Sequence, residues 1–437
     1  MNAEPLRVAV LGCGAVGTEV VRRLHETRAV LAGRVGAPLE LAGVAVRDLR
    51  RPRGLAIDPQ LWTDDPLALV KRDDVDIVVE LLSGTEPAHA LITTAMEHGA
   101  SVVSANKALL AAHGPSLHET AALHGVGLSY EASVAAAIPL LRPLRDSLVG
   151  DRITRVVGIV NGTTNYILDR MTQTGGDFGA ALREAVERGY AEADPTADVA
   201  GTDAACKAVI LASLAFHTWM PLESVHREGI TGVTATDVAD AHACDRVVKL
   251  VTVLERIPAR HGQEGILARV HPAMVARAHP LADVPGADNG VIVEAPDTGP
   301  LLFRGAGAGG APTSSAVIGD LVTAARRRLL GHRETTAPAT EPELTQHIRE
   351  LRTRYHLRIG VNDSLSGLDG VTSVLRSHDV GVDSVRRSRT AGRDALTVTT
   401  GTVREPDLHA AVAAVAALPS VDTPPRLMRL LDPAGGR

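Results

Sequence analysis

The sequence predicts an α/β protein in three parts, and three observations carry that reading. The β-branched run Arg7–Leu11 ends in Gly12-Cys-Gly-Ala-Val-Gly17, and Val16, Val20, Val21 and Leu24 then recur at helical spacing. Strand and helix signals go on alternating to about residue 145, which requires a parallel sheet with right-handed crossovers. Further on, residues 353–432 read strand, helix, strand, strand, helix, strand, a βαββαβ module that could fold on its own. The expected architecture is a Rossmann-like doubly wound domain, an α+β middle domain and a small C-terminal module.

Within the first part, strands are expected at Leu39–Val46, Asp76–Leu82, Ser101–Ser104 and Gly127–Glu131. A helix is expected over Pro87–His98, whose proline suits a first helical position. The character changes near Asp151. Ile153–Val160 reads as a strand, Thr164–Gln173, Phe178–Arg188 and 203–216 read as helices, and further strands fall near Ile266–His271 and Gly290–Glu294. The glycine-rich run Gly305–Gly310 leads into a long helix, Pro312–Leu330, and the Pro/Thr-rich stretch 334–342 reads as a linker. The expected division is 1–145 (completed by 305–331) for nucleotide binding, 146–304 for substrate binding and dimerisation, 332–348 as linker and 349–432 as the terminal module.

The 437 residues suffice for two or three domains, and 45% hydrophobic with 2% aromatic residues means cores of Val, Leu, Ile and Ala. A net charge of −6 without basic-aromatic runs gives no nucleic-acid signature. Cys13, Cys206 and Cys244 are odd in number and scattered, which argues against a disulfide framework and fits a reducing cytoplasm. No apolar stretch approaches the ~20 residues of a membrane helix, and the chain enters its first strand without a signal-peptide pattern. A cytoplasmic protein without nucleic-acid or membrane partners is expected.

Two stretches concentrate chemistry. In Gly12-x-Gly14-x-x-Gly17 the glycines permit a tight turn between strand and helix and let backbone N–H groups meet a pyrophosphate. Where an NAD-selective site would place an acid after the second strand, the chain has Arg47, followed by Asp48, Arg50, Arg51 and Arg53. A guanidinium suits a 2′-phosphate, so NADP is favoured over NAD, although any one of these arginines would also suit a solvated loop. The second stretch, residues 189–207, holds Glu192, Asp194, Asp198, Asp203 and Lys207 before the apolar run 208–216. Asp203 and Lys207 share a helix face. On spacing alone a solvated ion pair explains them; equally, such a cluster would bind an amino-acid ammonium group and deliver a proton.

With these pieces in view the chain resembles the homoserine dehydrogenases of the bacterial type that carry a C-terminal ACT domain. The resemblance runs through nearly the whole length. It rests on Gly12–Gly17, Ser83-Gly-Thr-Glu-Pro87, Ser104-Ala-Asn-Lys107, Glu131-Ala-Ser-Val-Ala-Ala-Ala-Ile-Pro139, Asn161-Gly-Thr-Thr-Asn165, the acidic stretch 189–207 and Gly305–Asp320. It implies an oxidoreductase of threonine, methionine and isoleucine biosynthesis that interconverts L-aspartate 4-semialdehyde and L-homoserine with NADPH or NADH. Lys207 would donate the proton, Lys107 would reach both cofactor and substrate, and each ammonium would depress the other's proton affinity. Asp198 would support catalysis. Gly189, Glu192 and Asp203 would bind the amino-acid substrate. Gly12, Gly14, Ala15, Val16, Gly17, Arg47, Thr85, Lys107, Gly307 and Gly310 would hold the cofactor, with Thr313 opening the next helix. Glu131 and the carbonyls of Val134, Ala136 and Ile138 would hold a monovalent cation such as sodium. A homodimer or homotetramer through the middle domain is implied, with threonine as an effector of the ACT domain.

Two departures stand against this pattern. Many bacterial relatives carry glycines where this chain has Ala136-Ala137, and alanine is costly if those positions need φ > 0. In the C-terminal module the loop Asp363-Ser-Leu-Ser-Gly367-Leu368 has Ser366 where a glycine would fall, which leaves open a dimerisation module without a ligand. Two other readings fit the same residues: a related dehydrogenase acting on a modified amino-acid aldehyde, and a non-catalytic sensor of NADP or an amino acid.

Overall fold

A computed structural model describes residues 4–192, 194–258, 264–332, 344–362, 364–390 and 393–433. The linker expected at 334–342 and Asp363 of the expected effector loop lie outside the described residues, as do the side chains of 364–366.

The first domain is a six-stranded parallel sheet of β1 (Leu6–Leu11), β2 (Leu39–Ala45), β3 (Trp62–Thr63), β4 (Ile77–Glu80), β5 (Ser101–Ser104) and β6 (Leu128–Ser129), in the order β3-β2-β1-β4-β5-β6. The strand order reverses between β1 and β4, so the crevice beyond their carboxyl ends is where such a sheet binds ligands. The central strands are mainly apolar because helices cover both faces, with polar residues such as Glu80 and Ser104 at the strand ends. One covering helix comes from far along the chain: Val317, Leu321, Ala324 and Ala325 of Gly310–Leu329 share a core with Val8, Val10, Val20, Val21 and Leu24.

The second sheet runs Gly299–Ala306, Asp288–Ala295, Arg155–Ile159, Arg246–Pro258, Glu264–Ala276, Val421–Leu431, Tyr355–Val361, Arg393–Thr400 and Val382–Thr390. Its longest pairing, Arg246–Pro258 against Glu264–Ala276, is antiparallel over thirteen residues. Sequence reading placed a strand only near 266–271 and missed Arg246–Pro258, whose eight consecutive buried residues Val247–Leu254 show no alternation to read.

The terminal module has the expected βαββαβ order, with helices Ser364–Ser377 and Glu405–Ala416. Its sheet is not separate, however. Val421–Leu431 pairs in parallel with Glu264–Ala276, Ala273 opposite Arg429 and Val275 opposite Leu431. Ion pairs fasten the same seam: Arg429 to Glu228 at 2.8 Å, Arg426 to Asp237 at 2.7 Å and Arg358 to Asp240 at 2.9 Å. Arg429 is buried and also pairs with Glu405. No helix among the described residues is long and apolar enough to cross a membrane.

Candidate active site

The acid–lysine stretch folds into the helix Thr202–Ala215, in which every residue from Asp203 to Ala215 is buried. Asp203 and Lys207 therefore titrate inside the protein. Lys207 Nζ lies 2.8 Å from Asp203 Oδ2 and donates to the Val160 carbonyl at 2.6 Å. Lys107 Nζ reaches the other oxygen, Asp203 Oδ1, at 2.6 Å. One carboxylate thus bridges two ammonium groups, one buried and one with its side chain 43% exposed.

Asn161, the N-cap of helix Gly162–Thr174, completes the cluster. Its Oδ1 accepts from the Thr164 N–H at 2.8 Å, while Nδ2 donates to Asp203 Oδ2 at 2.8 Å and to Asp198 Oδ1 at 2.7 Å. Asp198, in the short helix Thr196–Val199, thereby joins the site. An ammonium has three N–H donors, and the protein accepts two from Lys207. Among the described residues the third N–H has no acceptor and Asp198 Oδ2 has no donor.

Electrostatics follow from this packing. Burial opposes ionisation of Asp203, but the charges of Lys207 and Lys107 outweigh it and hold its carboxyl well below the usual range. Burial lowers the proton affinity of Lys207; Asp203 opposes this, and Lys107 adds to it. For Lys107 the effect of partial burial is exceeded by the Asp203 charge and hydrogen bond, so its affinity rises. The mutual depression expected from sequence therefore applies to Lys207 only, because Lys107 is more exposed and closely paired. Burial raises the Asp198 carboxyl; Asn161 opposes this, and Asp203 adds to it.

Glu192 does not join the cluster. It is exposed, and among the described residues it makes no hydrogen bond or ion pair with Asp203 or either lysine. Gly189 has φ +74° at the end of helix Phe178–Glu187, a left-handed turn that accounts for its glycine without a ligand. Their loop is nonetheless tied to the site, since Thr163 Oγ1 donates to the Tyr190 carbonyl at 2.7 Å.

Lys107 is placed by a second network that sequence reading did not identify. Asn106 caps helix Lys107–His124 by accepting from the Leu109 N–H at 3.1 Å, and its Nδ2 donates to the Gly84 carbonyl at 2.7 Å. Fully buried Glu80, at the end of β4, accepts from Ser104 Oγ at 2.6 Å and the Leu82 N–H at 2.7 Å. Burial raises its carboxyl against these donors. Together they tie the ends of β4 and β5 to the loop that carries half-buried Thr85.

The nucleotide loop lies at the switch point. Gly12 has φ +94°, and a Cβ on Gly17 would stand 2.2 Å from the Gly12 carbonyl oxygen, so both glycines are required by the turn itself. A Cβ on Gly14 would meet nothing within 4 Å. Nothing in the surrounding fold calls for glycine there, and the open space suits backbone approach by a pyrophosphate. Ala15 and Val16 open helix Ala15–Glu26 behind it. Gly310 comes alongside, with a Cβ there 3.0 Å from the Ala15 carbonyl oxygen, and Gly307 lies on the same loop. Arg47 is exposed just beyond β2. Arg53, by contrast, stacks over Trp62 with 5.3 Å to the ring centroid and donates to the carbonyls of Asp48 and Arg51, so it shapes the loop.

The 131–138 segment differs from expectation in two ways. The carboxylate of Glu131 accepts the N–H groups of Leu140, Leu141 and Arg142 at 2.6, 2.9 and 2.8 Å, so it also caps the next segment of chain. The carbonyls of buried Val134, Ala136 and Ile138 take no donor among the described residues, which suits a hard cation held by backbone oxygen. Left-handed φ falls on Ala135 (+57°) and Ala136 (+42°), not on Ala137, each at a cost of about 1 kcal/mol or more. No three His, Cys, Asp or Glu side chains gather to hold a metal among the described residues.

Comparison with known proteins fits this geometry. Residues 12–131 match the family model "Homoserine dehydrogenase, NAD binding domain" and residues 139–322 match "Homoserine dehydrogenase". A homoserine dehydrogenase of Mycobacterium tuberculosis is 50% identical over 386 residues, 88% of this chain and 87% of that one. One from Corynebacterium glutamicum is 44% identical over 423 residues, 97% and 95% of the two chains. The crystal structure of a homoserine dehydrogenase from Thiobacillus denitrificans superposes with a TM-score of 0.92 at 34% identity, covering 99% of this chain and 100% of that one. A hyperthermophilic archaeal homoserine dehydrogenase in complex with NADPH superposes at 0.62 with 26% identity, covering 73% and 97%. Both the nucleotide loop and the carboxylate that bridges two lysines lie inside the matched stretches, and the chain belongs to the homoserine dehydrogenase family.

Proposed function

We propose that this chain interconverts L-aspartate 4-semialdehyde and L-homoserine with a nicotinamide dinucleotide, NADP in preference to NAD. The observation that carries the reading is Asp203 bridging Lys107 and Lys207, together with a nucleotide loop in which a Cβ on Gly14 would meet nothing within 4 Å. When bound, the dinucleotide supplies a hydride to the aldehyde carbon. Lys207, held by Asp203 and the Val160 carbonyl, aims its third N–H at the carbonyl oxygen and protonates the alkoxide, leaving a hydroxyl and a neutral amine. In the reverse direction the neutral amine takes the hydroxyl proton. Asp203 keeps its charge throughout and orients both lysines. Asp198 Oδ2, with Glu192 on the adjoining loop, receives the substrate ammonium. Lys107, the more exposed lysine, faces the substrate carboxylate and the cofactor.

Arg47 reads the 2′-phosphate, and the carbonyls of Val134, Ala136 and Ile138 hold a monovalent cation. Self-association through the middle domain and threonine binding at the terminal module belong to the same reading; light scattering and threonine titration of the activity check them. Purified protein assayed with L-homoserine and NADP, against NAD and a panel of other amino alcohols, tests the whole. Turnover confined to another amino alcohol, or absent with all, contradicts it.

A further inference from the structure

Asn289 is fully buried, and neither its amide oxygen nor its amide nitrogen has a hydrogen-bond partner among the described residues. An amide buried with both ends unmet is destabilising, and leucine would fill much the same volume without that cost. Its placement gives a reason to keep it. The residue stands opposite Gly305 in the ladder between Asp288–Ala295 and Gly299–Ala306, and its amide lies against Gly307. A Cβ on Gly307 would stand 2.2 Å from Oδ1 and 2.7 Å from Nδ2.

Gly307 lies within a loop whose ends touch two other loops of the site. The Ala306 carbonyl accepts from the Ala137 N–H at 3.3 Å, beside the carbonyls of Ala136 and Ile138. At the other end Gly310 abuts the Ala15 carbonyl of the nucleotide loop. Between them Ala308 and Gly309 are exposed, and Gly309 has φ +118°. A glycine-rich span with backbone freedom thus crosses from one ligand loop to the other, over an amide with a donor and an acceptor to give.

We infer that Asn289 is a positioning residue for this loop, and that its amide pairs with backbone N–H and C=O groups of residues 306–309 when a nicotinamide dinucleotide is held between that loop and Gly12–Gly17. The inference rests on the dehydrogenase reading and adds to it the residue that fixes the loop. It also explains why Gly307 is glycine, because a methyl group there would displace the amide.

The test compares Asn289→Leu and Asn289→Ala with the full-length wild type in thermal melting, NADPH binding and homoserine turnover. Removing an unpaired amide should leave the Tm of Asn289→Leu unchanged or about 1–4 °C higher. The Kd for NADPH should rise roughly 5- to 30-fold in both variants, the equivalent of one or two lost hydrogen bonds. Gly307→Ala should reproduce the binding defect. Folded variants that bind NADPH as wild type does overturn the inference, whatever their Tm, while wild-type turnover leaves the dehydrogenase reading intact. A wild type that neither binds NADPH nor oxidises homoserine overturns both.

Discussion

Lys207 has three N–H bonds, and among the described residues two of them are accepted, by Asp203 and the Val160 carbonyl. Burial, reinforced by Lys107, carries its proton affinity below that of an ordinary lysine despite Asp203. The sign of the pH dependence follows. Homoserine oxidation needs the neutral amine, so kcat rises with pH and levels off above the lowered pKa. Aldehyde reduction needs the ammonium, so kcat falls across the same interval. Opposite inflections in the two directions are expected; flat profiles would remove Lys207 from proton transfer. Arg47 makes a separate prediction. Arg47→Ala should weaken NADPH binding by about 1–3 kcal/mol, a lost charge-assisted contact, with little effect on NADH. Equal losses for the two cofactors would show that it does not read the 2′-phosphate. Lys207, Lys107, Asp203 and Asp198 were legible in the sequence because their spacing and motifs are local. Asn161 and Glu80 were not, since a helix cap and a strand-end carboxylate look the same whether or not they serve a site.

At the scale of elements, the site is a meeting of helix N-termini. Lys107 begins one helix, Asn161 caps another and Asp203 lies in the first turn of a third. The cap of the second doubles as a link between two carboxylates. Asn161→Ala should cost about 1 kcal/mol in stability as a lost N-cap, and kcat should fall at least tenfold as Asp198 and Asp203 lose their shared donor. Asn161→Asp separates these effects: it keeps the cap acceptor but sets a third carboxylate against the other two, so stability should largely hold while kcat falls. A variant with wild-type kcat would reduce Asn161 to a cap. The long strand Arg246–Pro258 escaped sequence reading for a related reason, since a strand buried on both faces loses the alternation that marks one.

For the whole molecule, the sequence made residues 353–432 look self-contained, because apolar periodicity is local and the parallel pairing of Val421–Leu431 with Glu264–Ala276 joins residues some 150 positions apart. On the sequence alone, truncation after about Arg333 leaves a folded, active enzyme without threonine inhibition. Every residue assigned to chemistry does precede Asp320. The seam, however, would lose Arg429, Arg426 and Arg358, which strips the arginine partners from Glu228, Asp237 and Asp240 beside an open strand edge. We therefore expect the truncated chain to melt roughly 5–15 °C lower and to self-associate, with kcat per folded molecule within a few-fold of the full chain. Wild-type stability in the truncated chain would show that the seam contributes little. The central claim, that a buried lysine held by Asp203 moves the proton, is tested most directly by Lys207→Ala assayed with homoserine and NADP while NADPH binding is measured in parallel. The account predicts a fall in kcat of about two to four orders of magnitude with cofactor binding retained. Near-wild-type turnover would contradict it.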